Sequence, residues 1–162
     1  MRIAAWVAAG IFILDQLTKF IVVHLMRLDQ VGRIEVFDPW LVFQMAWNRG
    51  VNFGLFAGDA ALIRWGLILL ALGISVWVWI WARRSRLGTL GQVATGLLVG
   101  GALGNVIDRL VYGAVADFLN MSVPGLDNPY SFNVADVAIF AGALALVLFT
   151  GQNPRDARKR IG

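Results

Sequence analysis

The sequence predicts an all-α membrane protein with four transmembrane helices and a small extracytoplasmic β-sheet between the first two. Of the 162 residues, 59% are hydrophobic and 15% are charged, which is typical of integral membrane proteins. The apolar residues gather in four long runs, and the interval between the first two contains short β-branched and aromatic stretches. At this length we expect one domain over residues 1–162.

Several kinds of site are excluded by composition. The chain has no cysteine, so it has no disulfide framework, thiol nucleophile or thiolate metal site. With His24 as the single histidine, a two-histidine zinc motif is also excluded. We therefore expect no metal and no cofactor. The net charge of +4 suits lipid headgroups and topology better than nucleic acid, because the basic residues lie beside the apolar runs.

The first apolar run covers residues 3–26, enough for a hydrocarbon core that needs about 20 residues. Asp15 and Lys19 interrupt this run four residues apart, so they share one helical face. They can form an ion pair that makes the helix tolerable within a bundle, or a polar brace that faces an active site. Under both interpretations, this face of the helix points into the helix bundle.

Two strands are predicted between the first and second runs. RIEVFD and LVFQMAWN are rich in β-branched and aromatic residues and are separated at Asp38-Pro39. Neither stretch is long enough to span a bilayer, so we expect a sheet at the membrane surface. The following segment from Asn48 to Gly54 contains Gly50 and reads as a loop into the second helix.

The other three apolar runs predict the remaining helices. They cover residues 60–82, 91–112 and 133–150. In the third run Gly96, Gly100 and Gly104 are spaced by four, which allows another helix to approach closely. Residues 113–131 contain several Pro and Gly turn signals, so we expect a loop there, with Asp117 in its first part.

Basic residues predict the orientation. Arg2, the cluster at residues 83–86 and the tail at residues 155–160 fall on one side if there are four spans. By the positive-inside rule this side is the cytoplasm, which also receives both termini. The sheet and Asp117 would then face outward.

Five polar residues define a candidate site near the outer ends of the last two runs: Asn105, Arg109, Asp117, Asn133 and Asp136. Ionisable groups at a bilayer are costly, which favours a functional role. For Asp136 alone, a capping box with Asn133 is the stronger explanation. Asp117 alone could pair with Arg109. The convergence of both acids at one membrane level favours an aspartic protease dyad.

Such a dyad needs neither a metal nor a covalent intermediate. Two neighbouring carboxyl groups share one proton and titrate as a unit. The ionised member takes a proton from water, while the protonated member hydrogen-bonds the scissile carbonyl and later protonates the leaving amine. Arg109 and the asparagines would orient backbone or carboxylate groups.

The chain resembles the bacterial lipoprotein signal peptidases, or signal peptidase II, over nearly its whole length. Five motif blocks carry the resemblance in order: DQLTK from Asp15, NRGVNF from Asn48, GGALGNVIDR from Gly100, VADF from Val115 and FNVAD from Phe132. Together, at this spacing, they are highly specific. Val51-Asn52 is bulkier and more polar than the small residues often found in the second block.

The resemblance implies an intramembrane aspartic endopeptidase with catalytic Asp117 and Asp136. The supporting and substrate-binding residues within the motif blocks would be Asp15, Lys19, Asn48, Gly50, Gly104, Asn105, Arg109 and Asn133. The family removes the signal peptide of prolipoproteins before a cysteine that carries diacylglycerol. It acts at the outer face of the cytoplasmic (inner) membrane and is inhibited by globomycin. We expect a monomer in contact with membrane lipid.

Two other classes of function stay open from the residues alone. Intramembrane acids and the Asp15–Lys19 pair also suit a small transporter or proton-conducting protein. A non-catalytic scaffold, in which the acids serve as helix caps, is the third possibility. The gathering of the acids near one face, rather than through the full depth of the membrane, favours the protease.

Overall fold

The computed structural model describes residues 1–50 and 60–150. Within these ranges it contains five α-helices, one π-helical segment and three strands. In chain order they are α1 (Arg2–Lys19), the π-helical segment (Phe20–Leu25), α2 (Leu28–Val31), β1 (Arg33–Phe37), β2 (Leu41–Asn48), α3 (Ala60–Arg84), α4 (Thr89–Tyr112), β3 (Val115–Asn120) and α5 (Val134–Thr150).

All four apolar runs are helical, close to their predicted bounds. Three helices are long and apolar enough to cross a membrane: α1 with its π-helical continuation, α3 and α4. The fourth run forms α5, a shorter apolar helix of 17 residues. The chain is thus mostly helical and has the character of a multi-pass membrane protein.

The central helix of the bundle is α4, which packs against α1, α3 and α5. Its glycines explain the close approach of α1, as their spacing predicted. A Cβ on Gly96 would lie 2.7 Å from the carbonyl oxygen of Ala4, and one on Gly100 would lie 2.5 Å from that of Ala8. Any larger residue at these positions would push α1 away. The two glycines therefore allow α1 to pack directly against α4.

The three strands form one antiparallel sheet in the order β1-β2-β3. The two predicted strands are confirmed, but the prediction that Asp117 lies in a loop was wrong. Asp117 is part of β3 and stands opposite Ala46 of β2. The turn residues that follow β3 suggested a loop, whereas its strand conformation depends on pairing with β2, which is distant in sequence.

An apolar cluster attaches the sheet to the end of the first helix. Phe118 of β3 is buried with Val22 of the π-helical segment and Leu28 of α2. Its ring meets that of Phe43 on β2 edge to face, with centroids 5.8 Å apart. Because Phe118 follows Asp117 directly and points to the opposite face of the strand, its burial against the end of the first helix turns Asp117 to the other face, where Asn133 lies just before α5.

Candidate active site

Asp117 is held by two asparagine side chains. Asn48, at the end of β2, donates from Nδ2 to Asp117 Oδ2 at 3.1 Å. Asn133, just before α5, donates from Nδ2 to Asp117 Oδ1 at 2.6 Å. Asp117 is buried, with 3% of its surface exposed. Both oxygens therefore have an amide donor, which fixes the side chain in one orientation.

Asp136 lies in the first turn of α5 and forms a reciprocal cap with Asn133. The N–H of Asp136 donates to Asn133 Oδ1 at 2.9 Å, and the N–H of Asn133 donates to Asp136 Oδ2 at 3.3 Å. This is capping-box geometry. The remaining oxygen, Asp136 Oδ1, accepts from Asn105 Nδ2 of α4 at 2.9 Å. The capping interpretation of Asp136 and its place in the site are thus compatible.

Asn133 joins the two aspartates. It is fully buried, its side chain contacts Asp117, and its backbone N–H contacts Asp136. Its amide also donates to Asn105 Oδ1 at 3.3 Å. The structure therefore brings Asn105, Asp117, Asn133 and Asp136 together from α4, β3 and the start of α5, as the sequence predicted.

The environment of Asp117 favours its protonated form. Burial, followed by the charge of Asp136, raises the pKa of Asp117 to about 6, although the hydrogen bonds from Asn48 and Asn133 act in the opposite direction. Asp117 can therefore retain its proton at a pH where an ordinary aspartate is ionised.

A second buried polar cluster lies directly beside the first. Lys19 Nζ is 2.8 Å from Asp15 Oδ2 and 2.7 Å from Asp108 Oδ2. Both carboxylates are fully buried, and Lys19 is 5% exposed. Gln16 Nε2 donates to both acids, at 3.2 and 3.0 Å. Asp108 is therefore a buried structural partner of Lys19.

This cluster contacts the backbone next to both candidate catalytic residues. Asp108 Oδ2 accepts from the N–H of Ala116, and Asp15 Oδ1 accepts from the N–H of Ala135. Gln16 was not singled out from the sequence. Its position beside Asp15 in the DQLTK block could have indicated this role, because the side-chain amide of a buried glutamine can donate to two carboxylates at once.

Gly50 and Gly104 have steric roles. Gly50 adopts φ +101°, which favours glycine, and its N–H donates to Asn48 Oδ1 at 3.0 Å. This bond turns the Asn48 amide so that its NH₂ group faces Asp117. At Gly104, a Cβ would lie 2.5 Å from Asp15 Oδ2. Glycine there leaves room for the Asp15 carboxylate.

Arg109 lies beside the site without a direct ion pair to it among the described residues. Its Nη1 donates to the backbone oxygen of Asn105 at 3.3 Å. This contact lies within α4, so the expected role of Arg109 in orienting backbone or carboxylate groups of the site stays a prediction. Residues 51–53 of the second motif block and the basic tail at residues 155–160 fall outside the described residues.

Comparison with known proteins gives the family. The family model described as signal peptidase (SPase) II matches residues 7–151. The chain belongs to the signal peptidase II family. A lipoprotein signal peptidase of Methylobacterium radiotolerans is 45% identical over 84% of this chain and 78% of the relative. One of Burkholderia mallei is 34% identical over 96% of this chain and 93% of the relative.

Two solved structures are similar to this signal peptidase II chain along most of its length. Both are described as bacterial membrane enzymes and are 28% identical to it. One has a TM-score of 0.76 and covers 90% of each chain; the other has a TM-score of 0.74 and covers 90% of this chain and 85% of its own. The resemblance recognised from the five motif blocks is therefore confirmed.

Proposed function

We propose that this chain is an aspartic endopeptidase that removes signal peptides from lipoprotein precursors, with Asp117 and Asp136 activating a water. Its membership of the signal peptidase II family and its relatives named lipoprotein signal peptidase support the substrate class. The observation that carries the chemistry is the bridge through Asn133, which is hydrogen-bonded to both carboxylates. No cofactor takes part in this scheme.

Before the reaction, one carboxyl group of the pair is protonated and the other is ionised. The ionised carboxylate removes a proton from a water molecule, and the resulting hydroxide attacks the scissile carbonyl carbon. The protonated carboxyl group hydrogen-bonds the carbonyl oxygen as negative charge develops there. When the C–N bond breaks, a carboxyl proton passes to the leaving amine, and one proton remains on the pair.

The surrounding amides hold this geometry. Each of the four carboxylate oxygens of the pair accepts one amide hydrogen bond, from Asn48, Asn105 or Asn133. An oxygen has further acceptor capacity, so water and the substrate carbonyl can still be contacted. Since these donors are already in place, little reorganisation is required when charge moves during the reaction.

The substrate proposed is a precursor whose cysteine carries diacylglycerol, and the cleavage site lies just before this cysteine. The enzyme would act as a single-domain monomer of the bacterial inner membrane, surrounded by lipid, with four spans including α5. Globomycin would inhibit it. Nucleic acid has no part in this function.

The proposed orientation places both termini in the cytoplasm and the dyad at the outer face. The grouping of basic residues supports it. Met1 and Arg2 line the same cavity as Arg83 and Arg86, at the end of the bundle remote from the sheet. By the positive-inside rule this end is cytoplasmic.

The test uses purified full-length Asp117→Asn and Asp136→Asn proteins. Each should lower the initial rate of cleavage of a diacylglyceryl-modified precursor by about 10²–10⁴-fold, the usual contribution of a general acid or base. Asp127→Asn is the matched control, because Asp127 is an exposed loop aspartate. Thermal unfolding in the same detergent establishes that the variants are folded. Wild-type rates in folded variants of both residues would refute the dyad.

The transporter alternative has less support from the structure. It requires Asp15 to exchange protons or ions along a pathway. Instead Asp15 is fully buried and bonded to Lys19, Gln16 and the backbone of Ala135. These contacts favour a positioning role next to the dyad.

A further inference from the structure

A basic cavity lies at the end of the bundle opposite the proposed dyad. It has a volume of about 490 Å³ and is lined in part by Arg2, Arg83, Arg86 and Gln92. Arg2 begins α1, whereas Arg83 and Arg86 come from the end of α3 and the turn that follows it. Two separate parts of the chain thus place cations around one space.

These arginines lack acidic partners in residues 1–50 and 60–150. The ion pairs in that part of the chain involve Lys19 and Arg33, and among the same residues no Asp or Glu lines the cavity. All three arginine side chains are exposed. Their positive charge is therefore available to an anion, and Gln92 adds an amide donor.

An apolar groove begins about one helical turn further along the same two helices. It has a volume of about 500 Å³, and its lining includes Ala5, Ala9, Phe12, Trp79, Val99 and Leu103. Ala5 follows Arg2 by three residues, and Trp79 precedes Arg83 by four, so each pair shares a helical face. Helix α4 forms the floor of this groove between α1 and α3.

We infer that the basic cavity and the apolar groove together bind one anionic phospholipid, with its phosphate at Arg2, Arg83 and Arg86 and an acyl chain between α1 and α3. The groove volume falls within the range of about 300–1,000 Å³ that is usual for small-molecule sites. Basic pockets between membrane helices recognise phosphate headgroups in this way. The inference depends on neither the dyad nor the cleavage reaction.

Two other occupants fit less well. Free phosphate would leave the apolar groove unexplained. A signal peptide has a positively charged N-terminal region, which the three arginines would repel. An anionic lipid satisfies both halves of the site, because it joins a phosphate to an acyl chain.

The test is native mass spectrometry of the full chain in detergent, titrated with phosphatidylglycerol or with phosphatidylcholine of the same acyl chains. We expect one phosphatidylglycerol to bind more tightly than phosphatidylcholine. Arg83→Gln combined with Arg86→Gln should weaken this binding by about tenfold or more. Arg84→Gln is the matched control, because Arg84 carries the same charge in the same turn but does not line the cavity.

A second pair of variants tests the acyl-chain half. Ala9→Trp fills the groove and should weaken phosphatidylglycerol binding, whereas Leu14→Trp adds an indole at an exposed position outside it. Equal binding of both lipids, or equal effects of the Arg83/Arg86 and Arg84 variants, would overturn the inference. So would displacement of the lipid by an equal concentration of inorganic phosphate, since the acyl chain would then contribute nothing.

Discussion

Asp108 accepts a hydrogen bond from the backbone N–H of Ala116 at 3.1 Å. Asp15 accepts the corresponding bond from Ala135 at 2.9 Å. Because Ala116 and Ala135 directly precede Asp117 and Asp136, one buried cluster holds the backbone beside both proposed catalytic residues. Lys19 lies between the two carboxylates of this cluster, so it couples the position of β3 to that of α5.

Removing the cation should therefore disturb both the fold and the site. Lys19→Met leaves Asp15 and Asp108 buried without the charge that compensates them. Breaking a buried ion pair typically costs about 3–5 kcal/mol. We expect a lower thermal midpoint and a lower rate of precursor cleavage, both measured on purified protein.

Two further variants test this prediction, one as a control and one as a partial rescue. Arg33→Gln removes an exposed cation that pairs with Glu35 and Asp38, and should change stability by no more than about 1 kcal/mol. Adding Asp108→Asn to Lys19→Met removes one excess carboxylate and should recover part of the lost stability. If Lys19→Met behaved like Arg33→Gln, the coupling role of Lys19 would be wrong.

Substitutions of Asn133 can separate helix capping from the organisation of the dyad. Asn133→Ser retains an oxygen that can cap α5 but is too short to reach Asp117. Asn133→Ala loses both functions, and losing a cap costs about 0.5–2 kcal/mol. We expect the thermal midpoint to follow the order Asn, Ser, Ala, with cleavage strongly reduced in both variants. Normal cleavage by the folded Ser variant would show that the amide bridge is dispensable.

The raised pKa of Asp117 predicts a pH dependence of stability. Between its unfolded pKa of about 3.9 and its folded pKa of about 6, the native state binds more protons than the unfolded state. Stability therefore falls as pH rises through this window, by an amount on the order of 3 kcal/mol. Asp117→Asn removes this dependence.

The measurement is the difference in thermal midpoint between Asp117→Asn and the wild type at pH 4 and pH 7. This difference should change in favour of the variant as the pH rises. The exposed residue Asp127 supplies the control, since Asp127→Asn should give no such trend. A difference that moved in favour of the wild type would mean that Asp117 is stabilised in its charged form.

The rate of cleavage should depend on the same titration of Asp117. The dyad needs one proton, so the rate should decline as the pH rises past the pKa of Asp117, which is raised to about 6. Initial rates with a saturating lipid-modified precursor would measure this limb. A rate that rose continuously to pH 9 would contradict a shared proton.

The sequence predicted most of the helices and the membership of the polar site. Long apolar runs are strong local signals, so the four helical runs were located within a few residues. The spacing of Gly96 and Gly100 also predicted the close approach of another helix, because a missing side chain has a direct geometric effect; the structure shows that this helix is α1.

Other features depended on contacts that local patterns do not contain. Asp117 lies in a strand because β3 pairs with β2 across a long stretch of chain. The pairing of Lys19 with Asp108 joins α1 to α4, and neither residue's neighbours in sequence reveal the other. The link through Gln16 was missed for the same reason. Nonlocal pairing, rather than propensity, decided each of these positions.

Gly104 offers a test of the contact between the cluster and α4. In Gly104→Ala the new Cβ would lie 2.5 Å from Asp15 Oδ2, and Asp15 cannot easily retreat because it also holds Lys19 and the N–H of Ala135. Overpacking of this kind costs about 1–3 kcal/mol.

We expect a lower thermal midpoint and impaired cleavage, measured side by side with Gly10→Ala, whose Cβ would meet nothing within 4 Å. The Gly10 variant should match or slightly exceed wild-type stability, since alanine favours helix over glycine. Equal behaviour of the two variants would show that Asp15 can move without consequence for the dyad.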